Sequence, residues 1–170
     1  GCEIKSEGNS EIKSGNNAPI MSKDEEFPAA SALALYDYLR KSRSNGFVLS
    51  LSGGADSATC AVMVAEMVRR GLKQLGKEEF LSRLAPDIDT NLSEKDIVGK
   101  LLTTAYQGTK NSSTTTLNAA KVLAESIGAT FHDWQIDEPV KSYTQSIEDV
   151  LQRSLSWDTD DLALQNIQAR

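Results

Sequence analysis

The sequence is short of several residue types. It has two cysteines, one histidine, four prolines, and aromatic residues at only 6% of its 170 positions. Each scarcity removes a class of chemistry. Cys2 and Cys60 make no C-x-x-C pair, and with His132 as the sole histidine no zinc set can be assembled. Cys2 stands in a polar leader, while Cys60 falls in an apolar helical stretch and is expected to be a small buried hydrophobe. Neither a Ser-His-Asp nor a Cys-His set for nucleophilic catalysis is present. There is no long apolar run and no signal-peptide pattern, so the reading is a reduced, soluble, cytoplasmic protein without a membrane partner. Positive charge is also in deficit: 18 Lys and Arg stand against 24 Asp and Glu, for a net charge of −6. A nucleic-acid-binding face needs a basic stripe, and none is visible. A small anionic ligand is still allowed, because backbone N–H groups and one or two cations suffice to hold it.

What is present is enough apolar sequence, 39%, and enough charge, 25%, for one packed domain. Residues 1–23 are rich in Ser, Asn, Gly, Lys and Glu, lack periodicity, and read as a tail or linker. Residues 24–170 read as one folded unit. A helix is expected over 25–43, capped by Asp24, with Pro28 in its first turn. "FVLSL" at 47–51 reads as a short buried strand. A helix over 57–70 ends at Gly71. Residues 72–99, broken by Pro86 and Asn91, read as a helical insertion with loops. "KLLTTAY" at 100–106 is a second strand. A Thr-capped helix over 114–128 stops at Gly128, and 129–136 is a third strand. Helices follow over 138–153 and from 161, the latter burying Leu162 and Leu164. This alternation specifies an α/β domain with a parallel sheet and right-handed crossovers.

The chemistry concentrates at "SLSGGADS", residues 50–57. A strand enters, two glycines allow a tight turn and close approach of an anion, and a helix leaves with its positive end toward the loop. Ser52 and Ser57 add hydroxyl donors. The P-loop lysine is missing, because Gly54 is followed by Ala55, Asp56 and Ser57, and G-x-G-x-x-G is absent too. A carboxylate in a phosphate loop repels its ligand unless a cation intervenes, so Asp56 is assigned to Mg²⁺ bridging phosphate oxygens. The plainer alternative makes Asp56 only the N-cap of the following helix.

Ser52-Gly53-Gly54-Ala55-Asp56-Ser57 resembles the S-G-G-x-D-S loop of the N-type ATP pyrophosphatases. "LLTTAYQGTKNSS" (101–113), "DLALQNIQAR" (161–170) and "YDYLRKSRSNGFVLSLSGGADSA" (36–58) are each similar to segments of the glutamine-dependent NAD synthetases, in the same order. The resemblance implies a three-layer α/β/α, Rossmann-like fold of the adenine nucleotide alpha hydrolase type. It implies a sheet order 3-2-1-4-5, of which this chain supplies strands 3, 2 and 1, an incomplete sheet with one side of strand 1 open. It implies ATP as co-substrate, adenylylation of deamido-NAD, and attack by ammonia that a nitrilase-like glutaminase domain releases from glutamine. It implies a homo-oligomer and no nucleic-acid partner.

By the same resemblance Ser50, Leu51, Ser52, Gly53, Gly54, Ala55, Asp56 and Ser57 bind ATP, with Asp56 on the metal. Tyr106, Gln107 and Gly108 lie beside the adenine. Asn166 and Arg170 face deamido-NAD. The family's later strands, and an acidic residue that completes the metal and substrate site, fall outside these 170 residues, so this chain by itself is expected to be inactive. His132 reads as structural. Trp134 and Trp157 read as packing or lid residues, and Asp158, Asp160 and Asp161 as a solvated or helix-capping run rather than a second metal site. Two rival functions are another N-type ATP pyrophosphatase, tRNA-modifying or GMP synthetase-like, and a non-catalytic ATP-binding module in the manner of universal stress proteins.

Overall fold

The computed structural model describes residues 21–169. The linker reading of 1–23 therefore lies almost wholly outside the described residues, as does Arg170. Seven helices and three strands follow in the order α1 (Lys23–Ser42), β1 (Phe47–Ser50), α2 (Ala55–Leu75), α3 (Lys77–Leu84), α4 (Glu94–Leu101), β2 (Leu102–Gly108), α5 (Thr114–Ile127), β3 (Thr130–Gln135), α6 (Asp137–Leu151) and α7 (Asp161–Ala169). The strands pair in parallel in the order β1-β2-β3, with Ser50 opposite Ala105 and Gln107 opposite Trp134. This is the 3-2-1 portion of the expected sheet, and the far edge of β1 has no partner among the described residues.

Alternation along the strands sorts the two faces. Leu102, Thr104 and Tyr106 point into the core, where they meet Leu51, Val64, Ala120 and Ala124 from the β1 end, α2 and α5. The other face carries Val48, Ser50, Gln107, His132 and Trp134, all exposed. On that side α6 and α7 approach only the carboxyl end of the sheet, near Gln107 and Ile136. The expectation of a buried "FVLSL" strand is thus half met: Val48 is 81% exposed because none of the described residues covers its side of an edge strand. Beside it runs an apolar groove of about 440 Å³, lined by Phe27, Leu35, Phe47, Val48, Cys60 and Met63. Cys60 faces this groove and is exposed, contrary to the buried reading, since helical periodicity fixes a face but not what covers it.

Several boundaries move for identifiable reasons. Helix α1 starts at Lys23 behind Ser22, so Asp24 lies inside its first turn and Pro28 in its second; neither caps the helix. Ser93 and Asp96 form a capping box that starts α4, and α4 absorbs Lys100 and Leu101, leaving β2 to begin at Leu102. The cap of α5 is the Ser113 hydroxyl, which accepts the Thr115 N–H at 3.0 Å, while Gly128 ends it in a left-handed conformation as expected. On α7 Leu164 is buried but Leu162 is 73% exposed.

Gly71 does not terminate α2. The helix continues through it to Leu75 and stops at Gly76. The role of Gly71 is clearance: a Cβ there would sit 2.2 Å from the ring of Phe80, which is fully buried and packs beside Tyr36. Gly71→Ala is expected to lower stability by roughly 1–3 kcal/mol through overpacking, although alanine at an open helical site gains about 1 kcal/mol. Urea unfolding of the two chains checks the sign.

Candidate nucleotide site

The carboxyl ends of β1 and β2 carry the candidate residues, where open parallel sheets place their ligands. Leu51 is fully buried, and its N–H donates to the Ala105 carbonyl at 2.8 Å, so the chain leaves the sheet only after it. Gly53 then turns with φ +79°. A Cβ on Gly53 would fall 2.3 Å from the carbonyl oxygen of Thr116 in the first turn of α5. Left-handed geometry and this close approach both demand glycine here. Gly54 has ordinary extended angles, φ −91° and ψ 166°, and a Cβ there would meet only Ser52 Oγ at 3.3 Å. Of the two glycines, therefore, one is required by the backbone.

The loop holds its own shape. Ser52 Oγ and Ser57 Oγ are 3.0 Å apart, Ser57 Oγ accepts the Ser52 N–H at 3.2 Å, and Ser52 Oγ accepts the Gly54 N–H at 3.3 Å. Ser57 Oγ also reaches the Gly54 carbonyl at 3.2 Å. The first intrahelical bond of α2 runs from the Ala58 N–H to the Gly54 carbonyl. The N–H groups of Ala55, Asp56 and Ser57 are thus left without an acceptor among the described residues, at the positive end of a 21-residue helix. That is an anion cradle. Asp56 is exposed and makes no hydrogen bond or ion pair among the described residues. Gly54 occupies the N-cap position with no side-chain cap, so the capping role for Asp56 is excluded.

The other expected residues divide. Ser50 Oγ donates to Gln107 Oε1 at 2.7 Å, joining β1 to β2 at the mouth of a cavity of about 450 Å³. Tyr106 is buried, with its hydroxyl 2.7 Å from Thr116 Oγ1, and Gly108 is buried between the Tyr106 ring and Gln135. Ser50, Ser52, Tyr106 and Gln107 line the cavity together with Ile136 and Gln168. Asn166 does not line it; its Nδ2 donates to the Leu162 carbonyl of its own helix at 2.9 Å. Ser112, Ile136, Gln165 and Gln168 were not among the expected residues. Ile136 and Ser112 follow strand ends and are recoverable from the switch-point rule. The glutamines depend on how α7 docks, which no local pattern encodes.

Among the described residues no group of three or more His, Cys, Asp or Glu is placed to hold a metal, and no helix is long and apolar enough to cross a membrane. His132 stacks on Trp134 with ring centroids 5.8 Å apart on the exposed sheet face, and Trp134 and Trp157 are 50% and 58% exposed, so neither tryptophan is buried in the core. The acidic run is not simply solvated: Asp160 is tied to Arg153 by two bonds of 2.6 and 2.9 Å.

A strand, a glycine turn and a helix N-terminus at the carboxyl edge of a parallel sheet make an α/β protein with backbone donors placed where an anion could be held. Comparison with known proteins makes the assignment narrower. The family model described as NAD synthase matches residues 29–170, and the chain belongs to that family. It is 36% identical over 161 residues to the glutamine-dependent NAD(+) synthetase of Macaca fascicularis and 35% identical to that of Homo sapiens, covering 88% of this chain and 23% of each relative. The crystal structure of a glutamine-dependent NAD(+) synthetase from Cytophaga hutchinsonii superposes with a TM-score of 0.81 at 52% identity, over 88% of this chain and 27% of that one. The Acinetobacter baumannii glutamine-dependent NAD+ synthetase, solved with ADP, shares the fold at a TM-score of 0.62 and 20% identity over 91% of this chain and 23% of that one. The chain thus spans about a quarter of the length of the relatives it matches.

The two glycines separate cleanly in experiment. Gly53→Ala is expected to cost about 1–3 kcal/mol from its backbone conformation alone, and more from the clash with Thr116. Gly54→Ala, at an N-cap with ordinary backbone angles, is expected to cost less, about 0.5–1 kcal/mol. Thermal unfolding of both variants checks this.

Proposed function

We propose that this chain is the ATP-handling part of an enzyme that amidates deamido-NAD to NAD, using ammonia released from glutamine by a nitrilase-like domain outside this chain. The observation that carries the reading is the triplet of N–H groups on Ala55, Asp56 and Ser57, unpaired among the described residues, beside the exposed carboxylate of Asp56, in a chain of the NAD synthase family. The β- and γ-phosphates of ATP lie in the 50–57 loop and the adenine beside Tyr106, Gln107 and Gly108 on the strand side of the cavity, which leaves the α7 side to the dinucleotide. The carboxylate oxygen of deamido-NAD attacks the α-phosphorus, the bond from that phosphorus to the bridging oxygen breaks, and pyrophosphate leaves into the cradle. Ammonia then adds to the acyl carbon, AMP departs with the C–O bond electrons, and the amide of NAD remains after loss of a proton. Asn166 and Arg170 are assigned to the dinucleotide. The setting is cytoplasmic, and the assembly is a homo-oligomer.

The residues present fit a magnesium ion. Mg²⁺ is usually held by one or two carboxylates plus substrate phosphates, and Asp56 offers one unencumbered carboxylate at the phosphate cradle. When bound, the ion neutralises charge on the phosphates. The chain's own part is to align and to supply donors: backbone N–H groups and the Ser52–Ser57 hydroxyl pair hold the leaving pyrophosphate, and no protein nucleophile is needed.

In the full-length enzyme, Asp56→Ala is expected to lower deamido-NAD-dependent exchange of labelled pyrophosphate into ATP by roughly 100-fold or more, the usual scale for a lost electrostatic stabiliser. Undiminished exchange would remove Asp56 from the metal site. Exchange that requires tRNA instead of deamido-NAD would overturn the substrate.

A further inference from the structure

Helix α7 forms one wall of the nucleotide cavity through Gln165, Gln168 and Ala169, yet it has little to hold it there. It is nine residues long, below the length at which helices persist by themselves, and Leu164 is its one buried residue. Its main neighbour is α6, whose side chains are nowhere fully buried. Position must therefore come from the link between them, residues 152–160.

That link is knotted by one carboxylate. The side chain of Asp160 is 11% exposed and takes four hydrogen bonds. Arg153 donates from Nη2 at 2.6 Å and Nη1 at 2.9 Å, Thr159 Oγ1 donates at 2.8 Å, and the Ser156 N–H donates at 3.2 Å. The backbone carbonyl of the same Asp160 accepts the Leu164 N–H at 3.0 Å and so begins α7. An aspartate at a helix start ordinarily turns its carboxylate onto the helix's own N–H groups. Here it turns back, and the residue that opens α7 is welded to Arg153, which follows the C-cap Gln152 of α6. At the α6 end, Glu148 Oε1 accepts the Leu155 N–H at 2.6 Å, which ties the middle of the link to the same helix. A fork-on-fork arginine–carboxylate pair fixes direction as well as distance.

We infer that Asp160 and Arg153 are positioning residues, whose knot holds Gln165 and Gln168 of α7 over the cavity so that the dinucleotide substrate meets a preformed wall. The inference rests on the proposed function for its substrate and on geometry alone for the placement of α7. The Arg153 guanidinium, with the Thr159 hydroxyl and the Ser156 N–H, also holds the Asp160 carboxyl far below the usual carboxylate range. A lowered carboxyl favours the folded state at neutral pH and loses its contribution only as pH falls through that low value, so the knot is constitutive, not a physiological pH switch.

The test compares the full-length enzyme with Asp160→Asn, Arg153→Lys, and the charge swap Arg153→Asp with Asp160→Arg. Hydrogen exchange should be at least about tenfold faster at the amides of 164–169 in Asp160→Asn, with α2 and β2 unchanged. The KM for deamido-NAD should rise about tenfold while kcat changes less than threefold and the KM for ATP less than that for deamido-NAD. Arg153→Lys, which keeps charge but not the fork, should fall between, and the swap should recover part of the loss. Unaltered exchange in α7, acceleration spread equally over α2 and β2, or a loosened α7 with an unchanged deamido-NAD KM would each overturn the inference. A parent enzyme inert toward deamido-NAD would instead refute the proposed function, and the exchange pattern across α7 would still decide whether the knot places the helix.

Discussion

One close approach organises the carboxyl end of this domain. The Cα of Gly53 lies against the carbonyl of Thr116, with no room for a Cβ between them. The Thr116 hydroxyl bonds the Tyr106 hydroxyl at 2.7 Å and the Ser113 carbonyl at 2.8 Å. Three segments that are remote in sequence therefore converge on one residue: the turn after β1, the middle strand, and the first turn of α5. The path of the glycine turn aims the first N–H groups of α2 outward. Without that contact the loop has no reason to present its donors to the ligand edge of the sheet instead of to solvent at large.

From this contact the division of labour in the loop follows. Gly53 serves conformation and clearance, Ser52 and Ser57 serve loop shape, and the N–H groups of 55–57 are left without an acceptor among the described residues. Asp56 is the one side chain left without an internal task. A carboxylate in the first turn of α2 is favoured by the positive end of the helix, and it becomes a repulsive neighbour once a phosphate enters the cradle without a cation. The same logic distinguishes Asp56 from Asp160. Both stand near the start of a helix, but one is unpaired at the cradle and the other is consumed by four hydrogen bonds in a link.

Much of the fold was legible in the chain. The three strands, the helices between them and the Gly128 stop follow from hydrophobic periodicity and residue conformational preferences, which act over a few residues. The failures have a shared cause. Gly71 read as a helix stop because glycine commonly is one, whereas its neighbour is Phe80, nine residues on and in another helix. Lys100 and Leu101 read as strand because an apolar run does not announce whether it winds or extends, and it is the Ser93–Asp96 capping box that starts the helix which takes them in. Cys60, Val48 and Leu162 read as buried because an apolar face tells which side seeks cover, not whether cover arrives.

The sequence by itself determined the parallel α/β order, the strand–glycine turn–helix unit at 47–57, the absence of a P-loop lysine and the family, because these depend on residue type at fixed spacing along one strand–turn–helix unit and on motifs in order. Only the tertiary structure decided which glycine is indispensable, that Asp56 caps nothing, and that α7 brings Gln165 and Gln168 rather than Asn166 to the cavity. The glycine and the α7 outcomes depend on distances between segments remote in sequence, Gly53 from Thr116 and Gln107 from Gln168. Such distances come from packing and from long-range bonds such as Ser50 to Gln107, and no local rule of sequence contains them.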